Sequence, residues 1–172
     1  AALRTVGQAF AGVFGQLQLP VDVALDGVEL EGEVILPAAQ GRAKVLIKGG
    51  GLAAGREGRF ELAADAALAD SAVNALTVSG VLGVAMDTPR TFRRIAARLE
   101  AAAGGAQFPN GVKLTAEVSA TRGASGESYA AAVLAGERPL LQVTADFPSA
   151  ARRLDGTWKL DASDADLAAF AL

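Results

Sequence analysis

The chain contains no cysteine and no histidine. Without cysteine there is no disulfide frame, thiolate nucleophile, iron–sulfur cluster or cysteine-based zinc site. Without histidine there is no imidazole base and no Ser-His-Asp relay. Carboxylates, lysine, tyrosine and hydroxyls are the only catalytic material left. Aromatics are scarce, at 5% of 172 residues, with a single Trp and a single Tyr. There is no basic excess: 16 basic residues face 19 acidic ones, for a net charge of −3, so no nucleic-acid partner is expected. No apolar run reaches the roughly 18 residues that cross a bilayer. The start, Ala1-Ala2-Leu3-Arg4, has neither an initiator Met nor a signal-peptide pattern, and the end, Ala168 to Leu172, stops inside an apolar stretch. The length suits one domain, expected to be a single β-rich unit over 1–172, and the ends are read as those of a segment cut from a longer protein whose export signal or anchor lies elsewhere.

What is abundant is alanine. Hydrophobic residues make up 51% of the chain, and 39 of them are alanines. Alanine contributes little apolar area per residue, so a wide, thin sheet suits this composition better than a thick core. Charged residues at 20%, spread in regular alternation, argue against disorder.

The dominant rhythm has period two. Val112, Leu114, Ala116, Val118 and Ala120 alternate strictly with Lys113, Thr115, Glu117 and Ser119. Leu141, Val143, Ala145 and Phe147 share one face of the stretch from Leu140 to Phe147, and Trp158, Leu160 and Ala162 alternate with Thr157, Lys159 and Asp161. Val21, Val23 and Leu25, then a turn at Asp26-Gly27, then Val28, Leu30, Val34 and Leu36, predict a hairpin whose other face carries Glu29, Glu31 and Glu33. Further strands are expected at 43–48, 60–64, 74–86 and 127–135. Two stretches have helical spacing: Val6, Phe10, Val13, Phe14 and Leu17 in the first, and Phe92, Ile95, Leu99 and Ala103 in 88–103. Thr88 and Pro89 suit an N-cap and first turn for the second helix, and Gly104-Gly105 suits its end. The fold expected is therefore mainly β: an antiparallel, curved open sheet (a half-barrel or β-groove) or alternatively a β-sandwich, with one or two amphipathic helices.

Candidate chemistry is thin. Gly49-Gly50-Gly51-Leu52-Ala53-Ala54-Gly55 lacks the Lys-Ser/Thr of a phosphate loop and joins strand to strand, so it is a turn. The acids Glu29/Glu31/Glu33 and Asp161/Asp164/Asp166 suit a wet strand face better than a calcium site, which takes six to eight oxygens. Arg90, Arg93, Arg94 and Arg98 are expected on the solvated face of the 88–103 helix, and Trp158 and Tyr129 in a core or at a sheet edge. No metal, no cofactor and no enzymatic activity are expected.

Two stretches carry a resemblance. Leu19-Pro20-Val21-Asp22-Val23 through Ile47-Lys48-Gly49-Gly50-Gly51-Leu52 and Gly58-Arg59-Phe60-Glu61-Leu62 is the first; Leu154-Asp155-Gly156-Thr157-Trp158-Lys159-Leu160 through Asp166-Leu167 is the second. They resemble the strand-and-turn patterns of the AsmA-like (TamB-like) family of Gram-negative envelope proteins. The match covers about 60 residues and leaves the middle of the chain unmatched. The resemblance implies a periplasmic segment of a parent protein anchored in the inner membrane. It also implies an apolar β-groove that shields acyl chains during phospholipid transport and outer-membrane assembly. Its partners would be phospholipid or another acyl-chain lipid and other envelope proteins. The residues expected to meet lipid are Val112, Leu114, Val118, Leu141, Val143, Phe147, Trp158 and Leu160. The alternative is a β-sandwich interaction module of an envelope or surface protein with no lipid role.

Overall fold

In the computed structural model the chain is an up-and-down meander of nine antiparallel strands in one sheet, ordered as they occur in the sequence. The structure describes residues 12–35, 41–69, 73–106, 108–151, 153–163 and 166. A short helix α1 (Val13–Gln16) precedes β1 (Val28–Ile35), β2 (Gly41–Gly50), β3 (Glu57–Leu68), β4 (Ala75–Thr88), β5 (Thr91–Gly105), β6 (Phe108–Gly123), β7 (Gly126–Ala135), β8 (Arg138–Pro148) and β9 (Asp155–Leu160). β1 and β9 are its two edges, so the sheet is open and not closed into a barrel.

The register carries the period-two pattern across every strand. One cross-strand row runs Leu30, Ile47, Leu62, Gly80, Leu99, Ala116, Val133, Leu141, Leu160. Paired residues point to the same side, so this row is apolar from edge to edge. The row beside it on the opposite face runs Glu29, Lys48, Glu61, Val81, Arg98, Glu117, Ala132, Gln142, Lys159. A one-residue slip at any pairing would swap the two faces of a strand, which is why register is strongly specified here.

The compact core sits at one end of the sheet. Leu52, Phe60, Val84 and Met86 form it, with Leu19, Val23, Val28, Leu82, Phe92 and Ile95 packed around them. The segment from Gly12 to Gly27 crosses this end as a strap. Its backbone bonds run from Leu19 N to Arg90 O (3.0 Å), from Val23 N to Pro89 O (2.9 Å), and between Leu25 and Leu52 (2.8 and 3.0 Å). Gly50 lets the strap lie close as it turns into β1: a Cβ there would sit 2.2 Å from the Asp26 carbonyl oxygen.

Three expectations need correction. Residues 91–105 are strand β5, not part of a helix. Ile95, Ala97, Leu99, Ala101 and Ala103 alternate with Arg94, Ala96, Arg98, Glu100 and Ala102. The alanines on both faces make periods of two and 3.6 fit equally, and the unpaired edges of β4 and β6 on either side decide for the strand. The supposed cap is a hairpin turn, with the Thr88 and Thr91 hydroxyls 2.7 Å apart and Arg90 N donating to Thr88 Oγ1 at 3.3 Å. Val21 to Leu25 form no strand; one bridge, Leu25 to Leu52, is their share of the ladder. The described strands make one sheet, so the sandwich does not hold. Of the first expected helix, residues 5–11 lie outside the described residues, and 13–16 are helical.

This architecture makes stability lopsided. Met86→Ala, at a fully buried position, should cost about 2–5 kcal/mol. Leu160→Ala, at 61% exposure, should change stability by less than about 0.5 kcal/mol. Urea denaturation of both variants checks this; equal losses would place the core elsewhere.

Candidate functional site

The apolar face is the feature with chemical consequence. All eight residues expected to meet lipid fall on it: Val112, Leu114 and Val118 from β6, Leu141, Val143 and Phe147 from β8, and Trp158 and Leu160 from β9. The register brings Val118, Ala131, Val143 and Trp158 side by side, and Ala116, Val133, Leu141 and Leu160 in the next row. Val118 is 45% exposed and Trp158 73%. Val112, Leu114, Leu141 and Val143 are half-buried by their same-face neighbours. Phe147 differs. It pairs with Glu127 at the capped end and is buried, so it belongs to the packing under the strap.

The face extends well beyond those eight residues. Leu30 and Val34 of β1, Ile47 of β2, Leu62 of β3, Val78 of β4 and Leu99 of β5 continue it. Alternation with Glu29, Glu31 and Glu33, and with Arg42, Lys44 and Lys48, was the signal that could have found the first half. A depression of about 280 Å³ on this face, lined by Val13, Ile95, Val118, Ala120, Tyr129, Ala131 and Val143, lies beside the strap.

The opposite face is a field of exposed ion pairs. Arg42 meets Glu33 at 3.0 Å, Lys48 meets Glu29 at 3.5 Å, Arg94 meets Glu57 at 3.3 Å, and Arg98 pairs with Glu117. Such pairs contribute about 0–1 kcal/mol each and mainly keep that face wet. Arg90, in the β4–β5 turn, instead holds Asp22 of the strap at 2.6 Å. Two shallow depressions open on the polar face: one of about 650 Å³ lined by Glu117, Ser119, Gln142, Thr144, Thr157 and Lys159 among alanines, and one of about 600 Å³ lined by Glu57, Arg59, Arg94, Arg98, Glu100 and Glu117. No group of three or more carboxylates with metal-site geometry occurs among the described residues. Glu29, Glu31 and Glu33 are a strand face, as expected; Asp164 lies outside the described residues.

Sequence reasoning missed the strap's anchor. Glu127 is the one buried charged residue among those described. Its Oε2 accepts from Tyr129 Oη at 2.6 Å and from the Phe14 backbone N at 3.1 Å, while Val13 N donates to Tyr129 Oη at 3.2 Å. Gly12 makes room for this: a Cβ there would lie 2.4 Å from Glu127 Oε1, and its φ of +83° suits glycine. Burial, and then the bond to Glu127, push the Tyr129 phenol up to about 12. No sequence pattern marks a contact between residues more than 100 positions apart.

No protein-family model, no curated protein and no solved structure matches the chain.

The Tyr129 shift gives a signed prediction. Its folded-state pKa lies above the ordinary 10.0, so the neutral phenol's contribution is fully present below about pH 10 and is lost as pH rises toward 12. Urea midpoints measured at stepped pH should fall more steeply across that window for the unaltered protein than for Tyr129→Phe. Parallel curves would show that the phenol does not hold the strap.

Proposed function

We propose that the chain is a segment of an AsmA/TamB-like envelope protein and that its apolar face shields lipid acyl chains in an aqueous compartment. The observation that supports this is the apolar row from Leu30 to Leu160, nine strands wide, with no second layer over it among the described residues. Each methylene removed from water is worth about 0.8 kcal/mol, so a continuous apolar strip lets a chain pass without specific head-group contacts. On this reading the segment works in the periplasm and its parent is anchored in the inner membrane. It carries phospholipid, or another acyl-chain lipid, between membranes in support of outer-membrane assembly, alongside other envelope proteins. It performs no covalent step and needs no cofactor. The interaction-module alternative rested on a sandwich core, and it loses that footing with a single sheet.

The alternation supplies its own control. A photo-crosslinking residue at Leu114 or Val143, on the apolar face, should capture phospholipid in Gram-negative cells. The same residue at Lys113 or Thr115, one position away on the polar face, should not. Equal labelling of both faces, or none on either, would overturn the reading.

A further inference from the structure

The two edges of the sheet differ in one respect that bears on association. An edge strand presents unpaired N–H and C=O groups, and charge usually protects it. β1 carries Glu29, Glu31 and Glu33 on one face. Antiparallel pairing of β1 with its own copy, centred anywhere from Glu29 to Glu33, therefore sets glutamate against glutamate. β9 is different: on its polar face it carries one acid, Asp155, and one base, Lys159, on either side of Thr157.

The free groups of β9 can be identified. Asp161 N bonds Leu140 O at 2.7 Å, so the odd-numbered residues turn their backbone groups toward β8. Gly156, Trp158 and Leu160 therefore turn theirs outward, where no described residue pairs with them.

We propose that β9 pairs antiparallel with β9 of a second copy of this chain, about a two-fold axis through Thr157. In that register Thr157 faces Thr157 of the second copy. Asp155 faces Lys159, and Lys159 faces Asp155, so both charges are matched. On the apolar face Trp158 lies over Gly156, where no side chain obstructs the indole, and Leu154 meets Leu160. Aromatic-over-glycine and opposite-charge pairs are the cross-strand combinations that stabilise a ladder. The outward backbone groups of Gly156, Trp158, Leu160 and Leu154 supply about eight hydrogen bonds. Trp158 at 73%, Leu160 at 61% and Leu154 at 51% are all exposed in the single chain. Arg153 already holds Asp155 at 2.9 Å, and Lys159 lies 3.8 Å from Asp161; these exposed pairs leave room for a second partner. The axis is perpendicular to the sheet, so the apolar faces of the two copies lie on the same side and join into one. The contact is isologous and closes at two copies.

Light scattering on the purified chain should report twice 17.3 kDa at high concentration. The single Trp should shift its emission to the blue as concentration rises. Thr157→Cys, in a chain with no other cysteine, should form an intermolecular disulfide under mild oxidation. The pair is a non-hydrogen-bonded one, with Cα atoms about 4.5 Å apart, within disulfide range. Lys113→Cys, on the polar face of β6, should not cross-link. Asp155→Lys should return the chain to 17.3 kDa, and adding Lys159→Asp should restore the doubled mass. Circular dichroism checks that each variant is folded, and the Thr157→Cys result stands even where a charge variant is not. A monomer at all concentrations, equal cross-linking at both cysteines, or no rescue by the double swap would overturn the proposal. So would open-ended oligomers, which a β1-to-β9 contact would give.

Discussion

A single β-sheet has two faces, and period-two alternation in register commits each of them whole. Nine strands keep that register through the middle of the sheet, with shifts near the ends of β4, β5 and β7, so the apolar row from Leu30 to Leu160 is continuous and the row behind it is charged at six of its nine positions. The consequence is a molecule with too little core for its size. Among the described residues eight apolar side chains are buried, Phe14 and Met86 completely. Backbone ladders and same-face neighbours hold the sheet together, and fully buried side chains concentrate at the strapped end. The alanine content fits this arrangement, because small side chains gain little from a second layer and lose little without one.

The strap closes one end of the apolar face. Its two attachments differ in kind. At the β2–β3 and β4–β5 turns it is held by backbone bonds to Leu52, Pro89 and Arg90 and by the Asp22–Arg90 pair. Near β7 it is held by Glu127 and Tyr129, a buried carboxylate satisfied by a phenol and a main-chain N–H. A buried charge with its partners removed is costly, so this second anchor is the more sensitive to substitution.

Much of this was legible in the sequence. Strict alternation at 112–120 gave β6 and its faces, and the turns around Gly123 and Gly126 gave the following hairpin. At β5 the helical spacing fits as well as period two because alanine satisfies either; what decides for a strand is the presence of β4 and β6 alongside, which no local window contains. The helical spacing of Val13, Phe14 and Leu17 is met by a helix at 13–16, whereas 21–25 alternates like a strand because its apolar spacing is set by what it covers, not by its own secondary structure. The eight apolar residues singled out do share a face, yet Phe147 serves the capped end, a distinction that depends on where Glu127 lies. The Glu127–Tyr129–Phe14 contact spans more than a hundred residues and leaves no trace in any periodicity.

The central claim is that an uncovered apolar face acts on acyl chains through area alone. Calorimetric titration with saturated fatty acids of increasing length tests this most directly. If the claim holds, affinity tightens by up to about fourfold per added methylene, the equivalent of about 0.8 kcal/mol, with a negative heat-capacity change. Affinity that stays flat with chain length, or follows head-group charge instead, would contradict it.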